Sequence, residues 1–275
     1  MSWSTRTVFY VSDSTGITAQ TLGHSLMSQF ETVETQAVVV SFVTGVEQAE
    51  ACVARITTAA ESSEHRPLVF STLVDKDLAA IIDRANALHM DLFRSFLTPL
   101  EQELGMKSTH YVGRSHATVD TTQYIRRMDA VNYTLQHDDG QSHQHLDHAE
   151  VILVGVSRSG KTPTSLYLAM HYGIYAANYP LIPEDFERDA LPSELAKHTE
   201  RLVGLTIDAD RLASIRSERR PNSRYAALAS CRAETVAAER LMARHAIPWL
   251  DSTAKSIEEL SAEIVQLRAL DAPLI

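Results

Sequence analysis

Residues 151–162, VILVGVSRSGKT, constrain the fold more than any other stretch of the chain. An apolar run of strand length ends in a glycine, and residues 155–162 then match G-x-x-x-x-G-K-[ST]. That pattern works only where a buried strand passes through a tight loop into a helix, and an amphipathic segment follows at once. The glycines let the loop close, so that backbone N–H groups across Gly155, Val156, Ser157, Arg158, Ser159 and Gly160 can surround a phosphate, aided by the positive end of the following helix. Lys161 supplies a cation for the terminal phosphate and the Thr162 hydroxyl suits Mg²⁺. Pro163 falls in the first helical turn, where its missing N–H costs little. Arg158 adds a second cation. The alternative is an ordinary glycine-containing turn.

The flanking sequence repeats this alternation. Residues 7–11 (TVFYV) read as a buried strand, 12–16 as a polar turn and 17–30 as a helix with apolar positions at Ile17, Leu22, Leu26, Met27 and Phe30. Strands are expected over 36–43 and 67–72, and helices over 46–60, 75–89 and 92–104. Such alternation implies parallel βαβ units in a doubly wound layer. Residues 113–120 are polar, 124–135 fit one helix, 137–140 (HDDG) form a turn, and 141–148 are polar and histidine-rich. The domain boundary is therefore expected in this segment, dividing the chain into 1–140 and 141–275. The second block reads as strands over 150–155, 174–178, 201–207 and 247–250, with helices over 161–172, 210–218, 223–245 and 256–270. Ser256 and Glu259 form a capping box for the last. The expected fold is α/β: an N-terminal doubly wound parallel block and a C-terminal P-loop kinase-like domain.

Composition narrows the function classes. With 35 acidic and 25 basic residues the net charge is −10, a poor basis for wrapping nucleic acid. No run approaches the ~20 apolar residues of a membrane span, and the first residues lack the apolar core of a secretory signal. Two lone cysteines, Cys52 and Cys231, suit a reducing cytoplasm, the expected location, and read as core residues.

Several further clusters carry chemistry. Asp208 ends an apolar strand, where an acid can hold Mg²⁺ or its water; it equally reads as the N-cap of the next helix. Arg216, Arg219, Arg220 and Arg224 fall within nine residues around Pro221 and Asn222, and read as an anion clamp or as a solvated basic face. Asp13, in the polar turn at 12–16, opens a helix that can receive an anion or a phosphorylated side chain, or simply belongs to a cap cluster. Residues 249–253 end the last strand, where such loops lie near a base or only connect. His137, His143, His145 and His148 offer metal ligands, but on a segment read as a mobile linker.

Segments 9–30 (FYVSDSTGITAQTLGHSLMSQF), 66–73, 133–140 (YTLQHDDG), 151–181, 202–226 and 247–259 together resemble the bacterial pyruvate, phosphate/water dikinase regulatory proteins. The resemblance runs from about residue 7 to 268, and the wording is nearest the phosphoenolpyruvate synthase branch. It implies a bifunctional enzyme that inactivates its target by phosphorylating a threonine with ADP as donor, leaving AMP. It implies reactivation by moving that phosphoryl group to inorganic phosphate, giving pyrophosphate. The implied partner is phosphoenolpyruvate synthase, or pyruvate, phosphate dikinase on the other branch. The family's nucleotide loop carries over onto residues 155–162 without departure. On physical grounds Lys161 stabilises the transferring phosphoryl group, Asp208 or Asp13 serves as base, and Thr162 with Asp208 holds Mg²⁺. Arg219, Arg220 and Arg224 join the nucleotide contacts. A small-molecule P-loop kinase is the runner-up, although an N-terminal block of this size better suits docking a protein. A nucleotide-dependent switch is a third reading, without an N-K-x-D element to support a GTPase. Apolar and acidic helices are compatible with a homodimer.

Overall fold

Residues 8–11 and 151–154 are apolar throughout, so neither run tolerates a solvated sheet face. In the computed structural model both are buried inside parallel sheets. The structure describes residues 4–109, 121–142, 144–188 and 190–271. The predicted polar stretch at 113–120 and His143 lie outside them. The chain forms two units, Met1–Thr118 and Val119–Ile275.

In the first unit, β1 (Ser4–Ser12), β2 (Val33–Val40), β3 (Leu68–Thr72) and β4 (Leu88–Asp91) form one parallel sheet in the order β2-β1-β3-β4. Alternate residues face opposite layers. Val8, Tyr10 and Phe70 pack with Ala19 of α1 (Ile17–Met27) and Leu92 of α4 (Leu92–Leu104). Phe9, Val11 and Val69 pack with α2 (Val46–Glu61) and α3 (Lys76–Ile82) through Cys52, Ile56, Leu78 and Ile82.

The second unit repeats this plan. β5 (Val151–Gly155), β6 (Ala176–Pro180), β7 (Leu202–Thr206) and β8 (Trp249–Asp251) are all parallel, in the order β6-β5-β7-β8. One face packs Val151, Leu153, Val203 and Leu205 against Leu168 of α6 (Lys161–Tyr172) and Leu260 and Ile264 of α10 (Ile257–Arg268). The other packs Ile152, Val154 and Ala177 against α8 (Ala209–Arg219) and α9 (Leu228–Arg244), and includes Tyr133 of α5 (Thr121–Gln136). A short α7 (Pro183–Arg188) follows β6. The strand order reverses between β5 and β7, so the loop leaving β5 opens at the switch point where α/β sheets bind ligands. No described helix is long and apolar enough to cross a membrane.

The elements differ from expectation in four places. The helix expected over 75–89 ends at Ile82, and Leu88–Asp91 is instead an edge strand on β3; four residues are too few for a period to declare itself. The helix expected over 223–245 starts at Leu228, after a 3₁₀ turn at Arg224–Ala226 capped by the Ser223 hydroxyl. α7 has no counterpart in the sequence reading. The second unit also begins before the boundary expected at 140/141. α5 packs along α6, with Arg126 donating to the Gly173 carbonyl at 3.2 Å and pairing with Glu150 at 3.1 Å.

Candidate active site

β5 delivers the loop at 155–162 under tight steric control. At Gly155, φ is 149° and an added Cβ would lie 2.2 Å from the Leu205 carbonyl oxygen, so β7 runs too close for any side chain. Gly160 caps α6 in the left-handed conformation, φ 91°. Arg158 also has positive φ, 78°, an uncommon conformation for a residue with a Cβ. Lys161 is buried and its ammonium donates to the carbonyls of Gly155 at 3.0 Å and Val156 at 2.9 Å. Burial pushes its pKa down to about 8, against the opposing pull of Asp139 and Asp138. The buried Ser159 hydroxyl has no partner among the described residues. An unpaired donor in a glycine loop at a helix N-terminus fits a phosphate ligand. The loop borders a pocket of about 240 Å³ that also meets Thr162 and Asp139.

Asp138 and Asp139 enter from the turn before β5. The Thr162 hydroxyl donates to Asp138 Oδ1 at 2.7 Å, and buried Asn178 on β6 donates to the same oxygen at 2.6 Å. Asn178 Oδ1 accepts from the Asp139 N–H at 3.0 Å. The turn that opens the segment expected to be a mobile linker is thus tied down: His137 is buried, stacks on Tyr133 at 4.0 Å, and its ring nitrogens lie 2.7 and 2.6 Å from the carbonyls of Tyr133 and Gln144. A hydroxyl with a carboxylate behind it is the hard oxygen environment Mg²⁺ favours.

The arginine cluster divides. Arg216 is fully buried beneath the loop: it donates to the Ser157 carbonyl at 3.1 Å and the Tyr225 carbonyl at 3.1 Å, pairs with Glu234 at 2.8 Å, and lies 4.1 Å from the Tyr225 ring centre. The Tyr225 hydroxyl in turn lies 3.0 Å from Ser157 Oγ. Arg216 therefore braces the loop from below. Arg219, Arg220 and Arg224 are exposed, with no ion pair among the described residues.

Asp208 is the N-cap of α8. Its Oδ1 accepts from the N–H groups of Asp210 and Arg211, both at 3.0 Å, and its own N–H donates to Thr253 Oγ1 at 2.8 Å. Residues 206–208 and 251–253 are joined in this way at the ends of β7 and β8, and Asp208 does not border the loop pocket. Asp13 belongs to the first unit, where its buried carboxylate accepts from the Val74 N–H at 2.8 Å and burial raises its pKa. His145, Asp147 and His148 bring ligand atoms within 4.8 Å of one another on the surface. Cys52 and Cys231 are both buried. Sequence reasoning missed Asp138, Asp139 and Asn178 as site residues. The signal was available in the HDDG turn, which lies inside one of the segments that carry the family resemblance.

Comparison with known proteins gives a consistent result. The model of the family described as kinase/pyrophosphorylase matches residues 8–265. A protein of Janthinobacterium sp. (strain Marseille), named "Putative phosphoenolpyruvate synthase regulatory protein", is 55% identical over 271 residues, covering 98% of this chain and 96% of its own. Proteins of the same name from Herminiimonas arsenicoxydans and Burkholderia multivorans are 53% and 56% identical, covering 96% and 94% of this chain and 93% and 96% of their own.

Proposed function

The chain belongs to the kinase/pyrophosphorylase family, and from that premise we propose that it regulates phosphoenolpyruvate synthase as a serine/threonine kinase and phosphorylase. In one direction it phosphorylates a threonine of the synthase with ADP, releasing AMP. In the other it moves that phosphoryl group to inorganic phosphate, releasing pyrophosphate. The names of the relatives support the synthase as target. The observation that carries the chemistry is the buried Lys161 ammonium beneath a glycine loop that borders an open pocket.

Both directions move phosphorus between a threonine oxygen and a phosphate oxygen, so one anion cradle serves both. The ammonium of Lys161 has three protons, and two are committed to loop carbonyls; the third is free for a ligand oxygen. Burial lowers its pKa, and an arriving phosphate raises it again, which keeps the ammonium charged in the complex. Loop amides and Lys161 are oriented before the reaction, so they stabilise equatorial charge without reorganisation. Thr162 would hold Mg²⁺, which when bound neutralises charge on the phosphate oxygens. Arg219, Arg220 and Arg224, exposed beside the Arg216 brace, would close on the nucleotide.

The test is incubation of the full chain with ADP labelled in the β-phosphate, Mg²⁺ and purified synthase. Label on a synthase threonine, released as labelled pyrophosphate when orthophosphate is added, is expected. Label on a metabolite instead, or nucleotide binding without transfer, overturns this reading; label on pyruvate, phosphate dikinase alone moves the target. Lys161→Ala should abolish both directions, and loss of the forward reaction alone would refute a shared site.

A further inference from the structure

Just before β5 the chain makes one 3₁₀ turn, Leu146–His148, with His145 as its N-cap. A 3₁₀ turn repeats every three residues, so side chains at i and i+3 eclipse. His145 and His148 therefore stand over one another, their rings stacked with centres 5.3 Å apart. The Asp147 carboxylate lies beside them, 3.7 Å from His148 Nε2. One ligand atom from each of the three falls within 4.8 Å of the others, and all three side chains are exposed. The backbone that carries them is fixed. His145 is left-handed, φ 58° and ψ 29°, a conformation that histidine accepts more readily than most residues. Its carbonyl accepts from the Tyr133 hydroxyl and from the His148 N–H, both at 3.0 Å. Leu146 is buried in the core of the second unit. Arg201 donates to the carbonyls of Asp147 and Ala149, the latter at 2.9 Å, and pairs with Glu200 at 3.4 Å, so it holds the main chain and leaves the Asp147 carboxylate open.

We propose that His145, Asp147 and His148 form a binding site for a divalent transition metal of the zinc class. Two imidazoles and one carboxylate suit Zn²⁺, Co²⁺ or Ni²⁺, whereas Mg²⁺ asks for oxygen ligands alone. The site therefore differs in chemistry from the Mg²⁺ position at Thr162, and none of its three residues borders the loop pocket. Rotation of exposed side chains on a fixed backbone brings the three atoms to metal–ligand distances of about 2.0–2.2 Å, and water completes the coordination. A bound ion clasps residue i to residue i+3 across a turn that two backbone hydrogen bonds otherwise close, His148 N–H to His145 and Ala149 N–H to Leu146. The clasp also reaches the seat of the HDDG turn. The neighbouring Gln144 carbonyl lies 2.6 Å from the His137 ring, and the His145 carbonyl takes the hydroxyl of Tyr133, on which that ring stacks.

Calorimetry of the untagged full chain with Zn²⁺ tests this, together with amide hydrogen exchange. One Zn²⁺ per chain should bind in the presence of excess Mg²⁺, raise the melting temperature by several degrees, and slow exchange across residues 145–149. His145→Asn, Asp147→Asn and His148→Gln should each weaken Zn²⁺ by roughly tenfold or more, and His145→Asn with His148→Gln should abolish the one-to-one binding. Asn at 145 keeps the left-handed backbone, so the metal-free variants should melt with the wild type. His65→Gln, at an exposed histidine of the first unit, should change nothing. Zn²⁺ binding that survives in the double variant, displacement by Mg²⁺ at comparable concentration, binding without slower exchange at 145–149, or no binding at all would each overturn the assignment. A chain that binds Zn²⁺ here yet labels no threonine would overturn the preceding reading and leave this one standing.

Discussion

Replacing Arg216 with Met removes a charge that the fold has enclosed completely. Arg216 is 0% exposed, and the substitution leaves the Glu234 carboxylate, at 22% side-chain exposure, without its 2.8 Å partner. The carbonyls of Ser157 and Tyr225 lose their donor as well. Met retains most of the apolar stem, so the loss is one of pairing more than of packing. Breaking a buried pair from one side costs about 3–5 kcal/mol, a large share of the 5–15 kcal/mol that holds a typical domain. Removing both charges, in Arg216→Met with Glu234→Met, leaves no unpaired ion and should recover much of that loss. The two readouts then separate. Urea unfolding should show the single variant destabilised and the double variant largely restored. ADP affinity, by calorimetry, should fall in both, because neither retains the donor that holds the Ser157 carbonyl and with it the curvature of the loop. A single variant that loses less than about 1 kcal/mol would mean that the pair is screened as at a surface. A double variant that regains affinity along with stability would refute the bracing role.

Three further outcomes follow from local geometry. Gly155→Ala drives a Cβ to 2.2 Å from the Leu205 carbonyl oxygen and should cost upwards of about 4 kcal/mol with loss of nucleotide binding; a variant that melts with the wild type refutes the close approach of β7. Asp13 has a carboxyl raised by burial above its ordinary 3.8, so the folded chain holds this proton more tightly than the unfolded chain does, and stability from this group is lost as pH rises out of the acid range. Asp13→Asn, which keeps an acceptor for the Val74 N–H, should therefore melt higher than wild type at pH 7, with the gap closing under more acidic conditions; no gain at pH 7 contradicts the burial. Ser256→Ala removes half of a reciprocal cap, in which Ser256 Oγ accepts from the Glu259 N–H at 3.2 Å and Glu259 Oε2 from the Ser256 N–H at 2.8 Å, and should cost about 1 kcal/mol in urea titrations while Ser256→Asp costs little.

What was legible in advance was local. The loop at 155–162 and the helix it opens, Lys161–Tyr172, stand where the pattern put them, as does the capping box at Ser256. Each is specified within a few residues. Asp208 was readable as ligand or cap, and its bonds to Asp210 and Arg211 make it the cap of α8. The edge strand Leu88–Asp91 was lost because its evidence is a partner, β3, and not a pattern of its own.

By itself the order of residues determined two wound α/β layers and a glycine loop leading from β5 into a helix, because period, glycine placement and capping act between near neighbours along the chain. Only the tertiary structure decided which acid meets that loop and which arginine braces it. Asp138 stands 24 positions from Thr162, and Arg216 stands 59 from Ser157. Contacts across such separations are selected by how strands order and helices pack, and a buried charge or carboxylate is admitted only where the assembled fold supplies its partner.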